Sequence, residues 1–559
     1  MKHVFKNRML TLAALLKDLI TAVSLSNLCF LAGWRSVIYS PDPHGYHLTE
    51  HAVWRQSVGL IIDVLILATL FWASYAFVRR LRQERLVTIA SWGFLFVTFA
   101  ALDGVRRQFY GPLHAPAFIA IVGRPIFIGL LAGLAFLIVF TLARHSRRVI
   151  SVARAIILIL SPFALMTFAQ TSWSLLKTHP ANAEAKNKSA EAADNAEAAN
   201  NDNTRPVTRV LWVIFDEFDY HAAFAERPTS VELPELDRLR AESVVAENAY
   251  SPARWTMKSL PALVTGRLVA DARPSNYNEL ALTFDGASAS APWSAQPNVF
   301  SRARAIGAKS ALVGWYHPYC RVIGGDLTRC SFTVIANETD RLNQRLSQSM
   351  LEHFRTLGRG APVIRDLLPK SAKVGTRWES DYVESIKRMS QESAAAAADG
   401  ALSLVMVHFP APHFPCQYDR RKHDFTIQDF GVKSRCNYFD NLGLVDRTFG
   451  DLRRAMELAG WWDNTVVLVS SDHGWRTEIW PKNYSLTEEE QVFKSDTVDY
   501  RVPFILKLKG QRESLIYQPS FNTILSQDLL LALLRGRLST PGAVTAWLDH
   551  NRSMEKSPY

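Results

Sequence analysis

Hydrophobic positions along the 559-residue chain follow two regimes. As far as Leu176 they form long continuous runs, and a helix needs about 20 such residues to cross a hydrocarbon core of about 30 Å. Five segments approach that length: Met9–Trp34, Ser57–Val78, Leu86–Leu102, Pro125–Ala143 and Ala153–Leu176. Lys17 and Asp18 interrupt the first, as neighbours that pair with each other or face an interior cavity. A cleaved leader fits less well, because the first stretch exceeds a signal core and four more follow it. From Arg209 onward the runs are short and rich in β-branched residues: Val210–Phe215, Ser310–Trp315, Ser403–Phe409, Thr465–Ser470 and Val502–Leu508. Such runs predict strands buried on both faces. Helical stretches at Leu233–Glu242, Tyr438–Gly460 and Gln527–Leu534 lie between them, which predicts an α/β sandwich with a largely parallel sheet. Ala181–Thr204 contains no large apolar side chain and predicts a tether, since it buries too little to offset chain entropy. The expected boundaries are therefore 1–176 for an α-helical membrane domain of about five transmembrane helices, 177–206 for the linker and 207–559 for the α/β domain.

The formal charge of +11 changes this picture little, because much of the excess sits between apolar runs. Arg79, Arg80, Arg82 and Arg85 form one cluster and Arg144, Arg147, Arg148 and Arg154 another, which reads as topology signalling and not as a nucleic-acid surface. With Lys2, Lys6 and Arg8 these clusters lie on one side, while Arg35, Arg55, Arg106 and Arg107 lie on the other. The positive excess belongs in the cytoplasm, so an odd number of crossings places everything after Leu176 outside it. Cysteine usage agrees. Cys320, Cys330, Cys416 and Cys436 form two sequence-local pairs in the α/β region, and Cys29 lies in the first apolar run. Disulfides Cys320–Cys330 and Cys416–Cys436 suit an oxidising compartment; a tetrathiolate zinc site is the alternative, although neither pair has Cys-x-x-Cys spacing.

Chemistry-bearing residues gather where a largely parallel sheet presents them, past the carboxyl ends of its strands. Asp216 and Glu217 follow the first run, His408 and His413 end the third, and Asp472 with His473 follow the fourth. Any one of these alone is also what a structural turn would show. A fourth element, Ser251–Arg267, carries Thr256 at the start of an apolar-periodic stretch that closes at Gly266. Thr256 suits an N-cap equally well. As a nucleophile a threonine hydroxyl needs a divalent cation at its oxygen, and helix-terminal amides help to hold an anionic substrate.

On these residues the chain resembles the alkaline phosphatase and sulfatase superfamily, and within it the membrane-bound lipid A phosphoethanolamine transferases and lipoteichoic acid synthases. The resemblance rests on Thr256-x-x-Ser259-Leu260-Pro261, on Asp472-His473-Gly474, on His408-x-x-x-x-His413 and on Asp216 after the first strand. It implies one divalent metal, Zn²⁺ or Mn²⁺, held by Asp216, Thr256, Asp472 and His473, with Thr256 as the catalytic nucleophile. His408 and His413 are implied substrate contacts, and the cations Lys258 and Arg476 are candidates for stabilising the transferring group. The implied partners are a phospholipid donor and an envelope lipid or glycan acceptor. The implied location is the bacterial inner membrane, with the catalytic domain periplasmic or extracellular. Two departures stand out. Thr256-Met257-Lys258-Ser259 lacks the Cys/Ser-x-Pro-x-Arg pattern needed for formylglycine, and no histidine lies between His473 and His550, with Arg501 where one often precedes Val502-Pro503. A membrane-tethered phosphodiesterase or hydrolase is the second expectation, and a non-catalytic assembly protein the third.

Overall fold

The structure, a computed structural model, describes residues 2–31, 33–34, 46, 50–78, 80, 83–110, 148–177, 207–276, 278–333, 345–360, 375–426, 436–480, 486–493 and 500–552. The described residues fall into two compact units. One is drawn from Met1–Ser40, Thr49–Ala181 and Arg341–Ala372, the other from Pro41–Leu48, Asn182–Asp340 and Lys373–Tyr559.

The first unit contains helices α1 (Lys2–Cys29), α2 (Glu50–Val78), α3 (Glu84–Tyr110) and α4 (Ser161–Lys177). Among the described residues three helical stretches are long and apolar enough to cross a membrane: Trp54–Val78, Glu84–Val105 and Arg148–Trp173. α1 is not among them, and the expected span Pro125–Ala143 lies outside the described residues, as does most of the linker. Asp18 does not pair with its neighbour: it is buried against Arg154, while Lys17 is exposed. Adjacent positions on a helix point about 100° apart, so the two side chains face different surroundings. Polar side chains bridge the helices elsewhere: Ser26 Oγ donates to Val64 O (2.7 Å) and Ser24 Oγ to Ile157 O (2.8 Å). This unit also includes a helix from within the later region (Leu346–Gly360), whose Phe354 and Leu357 pack with Phe30, Trp34, Leu60 and Val64. There His353 Nδ1 lies 2.8 Å from Asp63 Oδ2, where the carboxylate is buried.

The second unit is built on an eight-stranded sheet. Its strands are β1 (Arg209–Asp216), β2 (Val244–Ala246), β3 (Ser310–Trp315), β4 (Arg329–Thr333), β5 (Leu404–Pro412), β6 (Thr465–Ser471), β7 (Phe504–Lys507) and β8 (Leu515–Tyr517). They lie in the order β8-β2-β7-β6-β1-β5-β3-β4. The block β6-β1-β5-β3-β4 is parallel throughout. β7 runs antiparallel to both β6 and β2, so the strand expected at Val502–Leu508 is shorter and reversed. Val210, Trp212 and Ile214 of β1 face one core with Leu404, Met406, Val466 and Leu468. Leu211, Val213 and Phe215 face the other with Val405, Val407, Val467 and Val469. Burial on both faces explains the unbroken apolar runs, and each such aliphatic side chain contributes about 1.5–3 kcal/mol.

Helices cover both faces. On the first side α5 (Thr256–Thr265) brings Leu260 and Leu263, and the helix Ser526–Leu534 brings Leu530 and Leu533. On the other side are Gly375–Ala398 and Tyr438–Leu458, the latter opened by a capping box between Asn437 and Asp440. α5 stops at Gly266 (φ +66°), whose N–H bonds Ala262 O at 2.8 Å. On β3, Gly314 leaves room for the buried Tyr319 ring: a Cβ there would lie 2.3 Å from Tyr319 Cδ2 and 2.8 Å from Leu312 Cδ2. Gly314→Ala is expected to destabilise the second unit by about 1–3 kcal/mol, read as an earlier midpoint in denaturant unfolding followed by near-UV circular dichroism.

Candidate active site

Asp216 is the last residue of β1, where the register with β5 slips between Phe215 and Asp216. Its Oδ2 accepts a hydrogen bond from Trp315 Nε1, at the end of β3. That leaves Oδ1 facing Thr256 Oγ1 and His473 Nε2, each at 3.5 Å. Asp472 follows β6 directly; its Oδ1 accepts from the backbone N–H of Glu217 (3.1 Å) and of His473 (2.8 Å). Asp472 Oδ2 is buried and has no hydrogen-bond donor. His473 Nδ1 lies 3.0 Å from Gly474 O. A carbonyl only accepts, so Nδ1 carries the proton and Nε2 turns its lone pair towards the carboxylates. Thr256 Oγ1 stands 3.2 Å from that Nε2.

The ligand atoms of Asp216, Asp472 and His473 all lie within 4.8 Å of one another, and all three side chains are buried. Two carboxylates and an imidazole lone pair crowded together repel unless a cation sits among them. Burial pushes the Asp216 carboxyl up to about 7, with the Trp315 indole N–H pulling it back, and raises Asp472 well above the ordinary range, its neighbour Asp216 adding to the shift. Burial likewise holds His473 neutral. The unpartnered Asp472 oxygen, the outward lone pair of His473 and the oxygen-nitrogen donor set all fit a divalent cation.

Thr256 is the first residue of α5, and the N-cap is Trp255 in extended conformation (φ −133°, ψ 130°). The threonine hydroxyl therefore points at the carboxylate and imidazole and does not serve as the N-cap. Ser259, one turn on, donates from Oγ to Asp472 O, which ties α5 to the end of β6. Arg476 is anchored: Nε donates to Glu217 Oε1 at 2.7 Å and Nη2 lies 3.1 Å from His413 Nε2. Its guanidinium also lies between the rings of Trp255 (4.8 Å) and Trp480 (5.2 Å). His413 Nδ1 donates to Phe414 O, so both its nitrogens are engaged.

Two other sequence-derived candidates stand differently. His408 is fully buried, with Nδ1 2.9 Å from both Trp315 O and Tyr319 Oη, and burial pushes its pKa down to about 3. Lys258 is not brought to the cluster: its Nζ donates to Ala270 O at 2.6 Å, because positions 256 and 258 point to different sides of the helix. Arg501 lies over the Tyr220 ring at 5.0 Å. Cys320–Cys330 and Cys416–Cys436 are both disulfides, which removes the Cys416, Cys436 and Asp440 group as a metal site.

Several neighbours of the cluster carry no motif. Glu217, adjacent to Asp216, has a buried side chain and left-handed backbone (φ +68°), and its Oε1 also accepts from Trp480 Nε1 at 2.8 Å. Trp315 ends β3 and Tyr316 follows it, left-handed too (φ +72°). Their one sequence signal is position at a strand's carboxyl end, the property that made Asp216 and Asp472 conspicuous.

A family model described as Sulfatase matches residues 208–534. No curated protein matches the chain. Solved structures that match the chain include the PsFucS1 sulfatase from Pseudoalteromonas sp., at 16% identity and a TM-score of 0.38, over 63% of this chain and 72% of that one. The phosphonate monoester hydrolase of Agrobacterium radiobacter is 16% identical with a TM-score of 0.34, over 59% of this chain and 77% of that one. An alkaline phosphatase superfamily protein from Vibrio parahaemolyticus is 11% identical with a TM-score of 0.35, over 59% of this chain and 67% of that one. Since the family match spans more than half of its length, this chain belongs to the Sulfatase family and is an enzyme of the alkaline phosphatase and sulfatase superfamily.

Proposed function

We propose that this enzyme moves a phosphoethanolamine or phosphoglycerol head group from a phospholipid to an envelope lipid or glycan, through a covalent intermediate on Thr256. The observation that carries the reading is the convergence of Thr256 Oγ1 on Asp216 and His473, at 3.5 and 3.2 Å, from the first residue of a helix. Asp216, Asp472 and His473 would hold Zn²⁺ or Mn²⁺, which supplies positive charge that favours the alkoxide and offsets charge on the phosphoryl oxygens. A threonine at this position, without the formylglycine pattern, favours phosphoryl over sulfuryl substrates.

In the first displacement Thr256 Oγ loses its proton and forms a bond to phosphorus, while the bond from phosphorus to the glycerolipid oxygen breaks and that oxygen takes up a proton. In the second, an acceptor hydroxyl loses its proton and forms the new bond to phosphorus, the bond from phosphorus to Thr256 Oγ breaks, and that oxygen takes up a proton to regenerate the hydroxyl. Arg476, held by Glu217 and flanked by two indoles, offers a preorganised cation to the phosphoryl oxygens. Three helices of spanning length support a lipid donor, met at the membrane surface. In this reading the protein is a multi-pass protein of the bacterial inner membrane with its catalytic unit on the outer side.

Incubation of the full-length, metal-loaded protein with head-group-labelled phosphatidylethanolamine or phosphatidylglycerol is expected to leave label on Thr256, found by peptide mass spectrometry. Label passing to a lipid or glycan supports transfer, whereas release of water-soluble head group alone makes the enzyme a phosphodiesterase. Thr256→Ala is expected to lower turnover on the order of 10³-fold or more. Trp315→Phe removes the N–H that orients Asp216 and is expected to weaken metal binding by about 10–100-fold, measured by competition with a chelator.

A further inference from the structure

We propose that His317 and Tyr46 are positioning residues that hold the nucleophile helix α5 in register through the backbone carbonyl of Thr256. The inference rests on the reading of Thr256 as nucleophile. His317 Nε2 lies 3.1 Å from Thr256 O, and its Nδ1 lies 3.4 Å from Tyr46 Oη. Both residues are buried, His317 at 0% and Tyr46 at 1% exposure. A carbonyl only accepts, so Nε2 carries the hydrogen of the neutral ring and Nδ1 receives the tyrosine hydroxyl proton. The order of donation is Tyr46 to His317 to Thr256.

Aromatic rings pack around the imidazole. Trp293 and Tyr316 meet the His317 ring edge-on at 5.1 Å, and Tyr319 does so at 5.5 Å. Tyr46 lies between α1 and α2 in sequence yet belongs to the core of the second unit, where Arg321 Nη2 donates to its carbonyl at 2.8 Å. In an α-helix the natural partner of the Thr256 carbonyl is the N–H four residues on, so hydrogen-bond satisfaction does not demand an imidazole there. What the second donor adds is location. Thr256 is held at its carbonyl by His317, and α5 is held one turn later by Ser259 on Asp472 O. The side-chain oxygen between these anchors has little freedom, and a displacement of about 1 Å at a nucleophile costs on the order of 10²-fold in rate.

The test uses the full-length, metal-loaded protein and bis(4-nitrophenyl) phosphate, a diester whose cleavage requires only displacement and water and no particular lipid donor. His317→Leu removes the donor, His317→Gln returns an amide N–H near the Nε2 position, and Tyr46→Phe removes only the hydroxyl. His317→Leu is expected to lower kcat about 10–100-fold with KM moving less than about threefold and bound-metal stoichiometry unchanged. His317→Gln is expected to recover kcat to within about fivefold of the parent protein, and Tyr46→Phe to lower it about fivefold. A His317→Gln protein no better than His317→Leu, or either Tyr46→Phe or His317→Leu turning over like the parent, would overturn the proposal. Should His317→Leu fail to fold, the Tyr46→Phe result decides alone, a parental kcat overturning it. Thr256→Ala, run in parallel, separates the two readings: full turnover there sinks the nucleophile itself, whereas lost turnover with parental Tyr46→Phe sinks only the positioning role.

Discussion

The organisation of the catalytic unit depends on one electrostatic constraint, the crowding of two buried carboxylates and a buried imidazole lone pair. Each of Asp216, Asp472 and His473 is buried, and Asp472 Oδ2 has no donor to neutralise it. Such a group is costly unless charge of the opposite sign completes it. The surroundings hold the three donors in that unfavourable proximity: Trp315 grips one oxygen of Asp216, two backbone N–H groups grip one of Asp472, and Gly474 O orients His473. The sheet supplies the rigidity, because β1 and β6 are paired in register from Arg209 and Thr465 up to the residues before the site.

Backbone strain at the same place is consistent with that demand. Glu217 and Tyr316, neither of them glycine, take left-handed conformations just past β1 and β3. Each costs on the order of 1–3 kcal/mol and persists only where contacts over-determine it. Glu217 is held by its N–H on Asp472 Oδ1, by Tyr438 Oη on its carbonyl at 2.8 Å and by Arg476 on its carboxylate. The N–H of Tyr316 is bound to Thr333 O at 3.1 Å.

Much of this was legible in the linear chain, for a physical reason. Strands buried on both faces must be apolar at every position, so β1, β3, β5 and β6 announced themselves, and their ends pointed to Asp216, His408, Asp472 and His473. The short strands β2, β4 and β8 escaped notice, having only three to five residues each. The direction of β7 was equally hidden, since a run of apolar residues carries no sign of polarity. Contacts between remote segments left no trace either. Nothing local pairs Asp18 with Arg154, directs Lys258 to Ala270 O, or joins Tyr46 to a histidine 271 positions on. Spacing along a chain reveals periodic burial, and these contacts have no period.

The helix Leu346–Gly360 changes what a cut in the chain would do. It is continuous in sequence with the sheet-bearing unit, yet its Phe354 stacks edge-on against Phe30 at 5.4 Å and its His353 meets Asp63. The stretch Ala181–Thr204 is therefore not all that attaches the later chain to the N-terminal helices. A protease nicking that stretch would sever the covalent path from the amino terminus and still leave the enzymatic half joined to the N-terminal helices, retained by a helix it carries itself. Release would also take cleavage on both sides of that helix, because β1–β4 precede it and β5–β8 follow it in one continuous sheet.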